Sequence, residues 1–341
     1  MQVSRTLVIV VVALVVGTVI GAYLYLSMFS RLGTERAGNI IDVIKGYLKV
    51  YPTSVEIRNK VVEIFREYIS SAGTILQESV YVGAGSSRTI VLKLYEDLIY
   101  WISVDVSGSF CINCDIRLEL KDSRGNIVAI MTPQGPSMIF GRYRFLRTNF
   151  TLSPLFRDYT DMYILTIDNS YSILTSKTVY ITIKAYYPSY ATTDDYFKIF
   201  AVGRWISKRF MYVSDPYGLE YVAPPNQTLK TLAGDCDDLA VLLAVLYRSV
   251  GLDAGVALID TDGDGRVDHT TAIIYLDKEP NEVLRGIAKW ASVQGITVNE
   301  ISYFKAEKGI YLVVDPLMTK NKDNPWHVDN PIYKLVQVIK P

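Results

Sequence analysis

A chain of 341 residues is too long for one ordinary domain, and its 35 basic and 35 acidic side chains leave no global field for nucleic acid. Only three cysteines and two histidines are present, so thiol or imidazole chemistry has few places to sit.

From Thr6 to Ser30 no residue is charged, and residues 7–29 as a helix would measure about 34 Å against a hydrocarbon core of about 30 Å. The length predicts an uncleaved transmembrane anchor over residues 1–30, although Gly21-Ala22 leaves cleavage open as the alternative. Arg31 and Arg36 on the long side do not favour export by the positive-inside rule. Three other features do, and outweigh them: the sequons Asn149-Phe150-Thr151 and Asn226-Gln227-Thr228, the pair Cys111 and Cys114, and a calcium-type loop further on. The expected location is a single-pass membrane protein with its C-terminal domains outside the cytoplasm.

Over residues 31–75 two short helices are expected. Ile40, Ile41, Ile44, Tyr47 and Leu48 lie on one face of the first, which Pro52 ends. Thr53-Ser54-Val55-Glu56 reads as a capping box for the second, whose stripe is Ile57, Val61, Ile64, Phe65 and Tyr68. We read them as a helical hairpin between membrane and globular part, packing on each other or on the next domain.

Residues 79–188 change to β-branched and aromatic alternation with turn signals, in runs from Thr89 to Leu94, Ile99 to Val106, Asp115 to Leu120, Ile127 to Met131, Tyr163 to Asp168 and Thr178 to Ala185. This spacing predicts an all-β sandwich. Its end, Tyr163 to Ser172 followed by Ser176 to Val179, resembles the closing strands of the Golgi-dynamics sandwich domain, which implies a binding or spacing module without catalysis. Cys111 and Cys114 can close a small disulfide loop in an exported domain, or supply half of a metal site in one that is not; no second cysteine pair exists for zinc. If those two pair, Cys236 is the odd thiol.

Asp194 is placed to cap a helix carrying Phe197, Phe200, Ala201, Trp205 and Ile206, and a proline-rich loop from Tyr212 to Thr228 follows. Gly234-Asp235-Cys236-Asp237-Asp238 then opens a helix with Leu239, Ala240, Leu243, Leu246, Tyr247 and Val250 on its apolar face. Asp235 is its N-cap, with Asp238 able to reach back as a capping-box partner, so Cys236 stands in the first turn. The helix dipole and free amides there favour a thiolate and offer an oxyanion site, while three flanking carboxylates oppose it. On this helix alone, a buried structural cysteine fits better. The elements that follow reverse the balance: Ala254 to Ile259 reads as a strand, His269 to Leu276 as a second that opens on a histidine, and Tyr311 to Val314 as a third ending at Asp315-Pro316. Cysteine, histidine and aspartate in that arrangement form a nucleophile, a base and an orienting group.

This run, with His269 opening one strand and Asp315-Pro316 closing another, closely resembles the transglutaminase-like superfamily of thiol enzymes over Asp194 to Pro316. The resemblance implies a papain-like α+β domain, here 193–341, with Cys236 as nucleophile, His269 as base and acid, and Asp315 holding the imidazole. Such enzymes need a second oxyanion donor, for which Gln227 and Tyr221 are the candidates. An insertion from Asp277 to Lys308, with a helix from Asn281 to Ser292, departs from the pattern and could cover the cleft or widen it.

Between the first two of these strands, Asp260-Thr261-Asp262-Gly263-Asp264-Gly265-Arg266-Val267-Asp268 matches the first nine positions of a calcium loop: oxygen ligands at Asp260, Asp262, Asp264 and Asp268, and a backbone carbonyl at Arg266. Position 12 is Thr271 instead of a bidentate glutamate, and a polar hairpin tip would use the same residues. Mutual repulsion of the aspartates favours a weak Ca2+ site; catalysis itself calls for no cofactor.

The expected protein is multidomain: anchor, helical hairpin, sandwich, then a transglutaminase-like domain. Its expected function is acyl transfer through a Cys236 thioester, as a peptidase or amidase on a protein or peptide substrate. The alternative is a non-catalytic surface binding or structural module that retains the fold.

Overall fold

The computed structural model describes residues 40–108, 116–131, 141–152, 160–216 and 221–341. The apolar segment 7–29 and the cysteines Cys111 and Cys114 lie outside them, and among the described residues no helix is long and apolar enough to cross a membrane.

Helix α1 covers residues 40–50 and α2 covers Val55–Ile69, with a 3-10 turn at Tyr51–Thr53 between them. The cap of α2 is Ser54, whose hydroxyl accepts from the Ile57 amide at 3.3 Å; Thr53 turns back to the Val50 carbonyl, so the cap stands one residue later than expected and, with Ile57 at the third helical position, no capping box closes. The stripe Ile57, Val61, Ile64 and Tyr68 is buried, as amphipathic spacing demands. What covers it is the C-terminal domain. Phe65 packs on Phe197 and Tyr68 on Phe200, with ring centroids 5.4 and 5.3 Å apart. Trp205 donates to Glu67 at 3.1 Å, and Arg248 donates to the Leu48 carbonyl at 3.2 Å. The two helices thus complete the core of that domain.

The sandwich consists of two four-stranded antiparallel sheets. One has the order β1 (Ala72–Val82), β8 (Lys177–Tyr186), β3 (Ile99–Gly108), β6 (Gly141–Thr151); the other runs β2 (Ser87–Lys93), β7 (Met162–Asp168), β4 (Arg117–Asp122), β5 (Ile127–Met131). Alternation puts Ile102, Val104, Ile181 and Ile183 of one sheet and Leu118, Leu120, Leu165 and Ile167 of the other in the core. Strands β1 and β6 were not anticipated, and the sandwich starts at Ala72 instead of residue 79. Its first and last strands pair, Ala72 with Tyr186, so the chain enters and leaves it at one place.

In the C-terminal domain α3 (Asp195–Arg209) is capped by Asp194, which accepts from the amides of Tyr196 and Phe197. Then come β9 (Met211–Tyr212), α4 (Pro225–Thr231), β10 (Ala233–Gly234) and α5 (Cys236–Ser249), which is buried from Asp238 to Tyr247. A five-stranded antiparallel sheet of order β13 (Tyr303–Lys305), β14 (Ile310–Val314), β12 (His269–Leu276), β11 (Ala254–Asp260), β15 (Lys334–Ile339) lies against it. Val256, Ala272, Ile274 and Leu312 belong to the main core, while Ile259, Ile273 and Val313 form a smaller one with Val328.

The inserted helix α6 (Pro280–Ser292) ties the sandwich to this domain. Trp290, fully buried, stacks on Tyr187 and donates to Asp194 at 3.0 Å. Arg285 grips Glu96 with both terminal nitrogens, at 2.8 and 2.6 Å, and reaches Asp161 at 2.6 Å. Gly286 allows the approach to α3, since a Cβ there would stand 2.4 Å from the Tyr196 ring.

Candidate active site

The first turn of α5 is built around Asp235, whose Oδ1 accepts from the amides of Asp237 (3.0 Å) and Asp238 (3.2 Å). That cap starts the helix at Cys236 and leaves the thiol half-buried at its positive end. Asp238 does not close a capping box. Its Oδ1 accepts from the Ala223 amide at 2.7 Å, and the side chain passes over Gly234 so closely that a Cβ there would lie 2.3 Å from its Oδ2. Glycine is therefore required before the cap, and the carboxylate fastens the loop ahead of α4 to the helix start. The carboxylates around the thiol are not neutral bystanders: Asp237 Oδ1 is 3.9 Å from Sγ, and burial first, then neighbouring acids, push both Asp235 and Asp238 up to about 6.

His269 opens β12 opposite Ile259, and Asp315 follows directly on β14, the neighbouring strand, which pairs Ala272 with Val314. His269 Nε2 donates to Asp315 Oδ2 at 2.7 Å, and Cys236 stands close enough for its charge to act on the same ring. With Nε2 so engaged, Nδ1 is the ring nitrogen left for a second partner. Burial disfavours a charged ring, but the hydrogen bond and charge of Asp315, together with the nearby Cys236, outweigh it and raise His269 to about 10. The carboxylate of Asp315 is 2% exposed and fully partnered: Oδ1 accepts from the amides of Leu317 (3.1 Å) and Met318 (3.2 Å), and Oδ2 also accepts from the Tyr333 hydroxyl (2.5 Å). The imidazole and carboxylate are thus hydrogen-bonded to each other beside the thiol, the three groups drawn from a helix start, a strand start and a strand end.

The two oxyanion candidates are not tied to these three groups. Gln227 is exposed on α4, and Tyr221, also exposed, donates its amide to Asp215 at 2.7 Å; among the described residues no hydrogen bond joins either to Cys236, His269 or Asp315. Sequence reasoning missed Tyr212 and Tyr333. Tyr212 pairs with Gly234 across the parallel β9–β10 ladder, and burial, then the charge of Cys236, raises its phenol. A tyrosine in a two-residue strand and another just ahead of β15 offer no motif to find either by.

In the loop between β11 and β12, Asp260, Asp262 and Asp264 each offer an oxygen within 4.8 Å of the others. Asp260 also accepts from the amides of Gly263 and Gly265. Asp268 is turned away, bonded to the Thr261 amide (2.8 Å) and hydroxyl (2.6 Å), so the expected fourth side-chain ligand stands outside the cluster; the Arg266 side chain is exposed. In the sequon at Asn226, Thr228 is buried within α4.

Residues 186–291 match the model of the Transglutaminase-like superfamily. The chain thus carries a transglutaminase-like domain, and the matched stretch contains Cys236 and His269 while Asp315 lies beyond it. No curated protein matches. Among solved structures, one described as "CBM4 structure and function" is 19% identical over 31% of this chain and 78% of its own, with a TM-score of 0.22. An arabinose-bound MgGH51 α-L-arabinofuranosidase is 14% identical over 46% of this chain and 28% of its own, at 0.26. A candidate cysteine protease from Cytophaga hutchinsonii is 11% identical over 55% and 75%, at 0.20. These likenesses are too distant to bear on the site.

Proposed function

We propose that the chain is a cysteine acyl-transfer enzyme, membrane-anchored and working outside the cytoplasm on protein or peptide amides. The observation that carries this reading is the His269–Asp315 hydrogen bond beside Cys236 at the positive end of α5. In the reaction, the Cys236 thiolate adds to the amide carbonyl carbon. The oxyanion that forms takes the Cys236 amide, which Asp235 does not engage, as one donor. Imidazolium His269 gives its proton to the departing amine as the carbon–nitrogen bond breaks, leaving a Cys236 thioester and a neutral ring. Water then attacks the thioester, the neutral His269 taking its proton, and the carbon–sulfur bond breaks to release the acid and restore the Cys236 thiolate beside the imidazolium; an amine acceptor in place of water would crosslink by the same steps. Asp315 supports the imidazolium throughout. The anchor rests on the charge-free stretch 7–29, and a Ca2+ ion at Asp260, Asp262 and Asp264 would steady the strand that begins with His269.

The test is alkylation of Cys236 by iodoacetamide in the intact protein at neutral pH. Cys236 is expected to react faster than a model thiol, and His269→Ala to slow it markedly. Slow labelling that is indifferent to the substitution would leave the non-catalytic surface module as the reading.

A further inference from the structure

Oδ2 of Asp315 accepts two hydrogen bonds, one from His269 and one from a residue outside the matched domain, Tyr333. We propose that Tyr333 is a positioning residue of this site, fixing the Asp315 carboxylate in the orientation that holds His269. The proposal rests on the acyl-transfer reading above.

Three features set the phenol where it stands. Strand β15 pairs with β11 such that Ile259 lies between His269 on one side and Leu335 on the other, which brings the residue just ahead of β15 over the start of β12. The Tyr333 ring stacks on Phe304 with centroids 6.1 Å apart and planes 6° from parallel, and tilts against the His269 ring at 6.1 Å. Finally, Thr271, on β12 two residues beyond His269, gives its hydroxyl proton to the Val314 carbonyl, which leaves the Asp315 carboxylate as the phenol's acceptor. The hydroxyl therefore has one place to point. A cavity of about 290 Å³ bordered by Phe304, Val313, Val328 and Tyr333 lies beside the ring, so the hydroxyl rather than dense packing fixes this edge.

The carboxylate needs the bond for a geometric reason. The amides of Leu317 and Met318 hold Oδ1 alone. Without Tyr333, the only group on Oδ2 is His269, the ring that Asp315 is supposed to orient, and the carboxyl can pivot about its fixed oxygen along with the imidazole. A second donor on Oδ2 takes away that freedom. The phenol keeps its proton for the task, since burial and the neighbouring carboxylate push it well above its ordinary range.

The experiment is a double-mutant cycle on the full chain, reading the iodoacetamide rate of Cys236 in wild type, Tyr333→Phe, Asp315→Ala and the double variant. Tyr333→Phe keeps the stacked ring and should slow alkylation about tenfold, the scale of one hydrogen bond to a charged group. In the Asp315→Ala background it should slow alkylation no further. The low-field proton resonance of the His269 Nε2–H should move in Tyr333→Phe and stay put in Tyr303→Phe, a neighbouring tyrosine on the same cavity. A wild-type rate and unmoved resonance in Tyr333→Phe overturn the proposal. So does a tenfold loss that persists without Asp315, or an equal loss in Tyr303→Phe, because either places the effect in the fold. If His269→Ala labels as fast as wild type, the acyl-transfer reading fails and takes this proposal with it; if His269→Ala is slow and Tyr333→Phe is not, only the role of Tyr333 is lost.

Discussion

Replacing Asp238 by asparagine should stabilise the protein at neutral pH and flatten its stability profile between about pH 4 and pH 6. Asp238 is 6% exposed, and burial is the largest influence on its carboxyl; the hydrogen bond from Ala223 pulls the other way, the charge of Asp235 adds to burial, and the group is pushed up from 3.8 to about 6. The folded protein therefore binds a proton that the unfolded chain has released. Stability from this source is complete below the unfolded value and falls as pH rises to the folded one, beyond which it stays lost. A shift of about two units corresponds to about 3 kcal/mol at neutral pH. Asp235 titrates in the same window but is more open to solvent, so its share is smaller. Asparagine has the same shape and still accepts from the Ala223 amide, without the buried charge, and removing one charge relaxes the other. Urea unfolding across a pH series is the assay. The variant should gain about 2–3 kcal/mol at neutral pH and lose more than half of the wild-type slope through the window. A variant that is less stable at neutral pH, or keeps the full slope, would show that Asp238 is held as a well-solvated carboxylate and that this account of its burial is wrong.

Arg285→Ala should cost about 3–5 kcal/mol in denaturant unfolding, because it breaks a nearly buried ion pair and takes the guanidinium from Asp161, at 7% side-chain exposure; a loss within about 0.5 kcal/mol would mean that the contact between α6 and the sandwich contributes little. Chelation should lower both the melting temperature and the Cys236 alkylation rate if Asp260, Asp262 and Asp264 hold calcium, with a dissociation constant on the order of 10⁻⁴ to 10⁻³ M. Should Asp262→Asn with Asp264→Asn match wild type with and without millimolar calcium, the loop is a polar turn only.

The starts of α5 and β12 were legible in the sequence because local chemistry writes them: an aspartate cap with glycine before it, and a β-branched run whose first residue is histidine. The reach of individual side chains was not. Asp238 satisfies a donor fifteen positions earlier, at Ala223, and Tyr333 meets Asp315 eighteen positions back; nothing in either neighbourhood encodes the partner. Strand β1 was missed because its inward residues fail to alternate, with a register break between Thr74 and Leu76. For α2, spacing revealed an apolar stripe but not its partner, since Phe197, Phe200 and Trp205 come from a helix more than a hundred residues away.

That distant partnership changes how the chain's modules relate. Tyr68 at the end of α2 and Tyr187 just after β8 stand together with Phe197 and Phe200 in one aromatic cluster, so the domain core is continuous across the 115-residue gap from 72 to 186. The sandwich is accordingly an insertion into the domain that carries Cys236, with both of its chain crossings at the same spot. A module hung on two adjacent crossings would be free to swing. Here α6, inserted between β12 and β14 of the sheet, returns to it: Trp290 packs on Tyr187 beneath the crossings, and Arg285 closes on Glu96 and Asp161 beyond them. The departure from the expected pattern thus has a mechanical reason, since the second insertion supplies the attachment that the first one lacks.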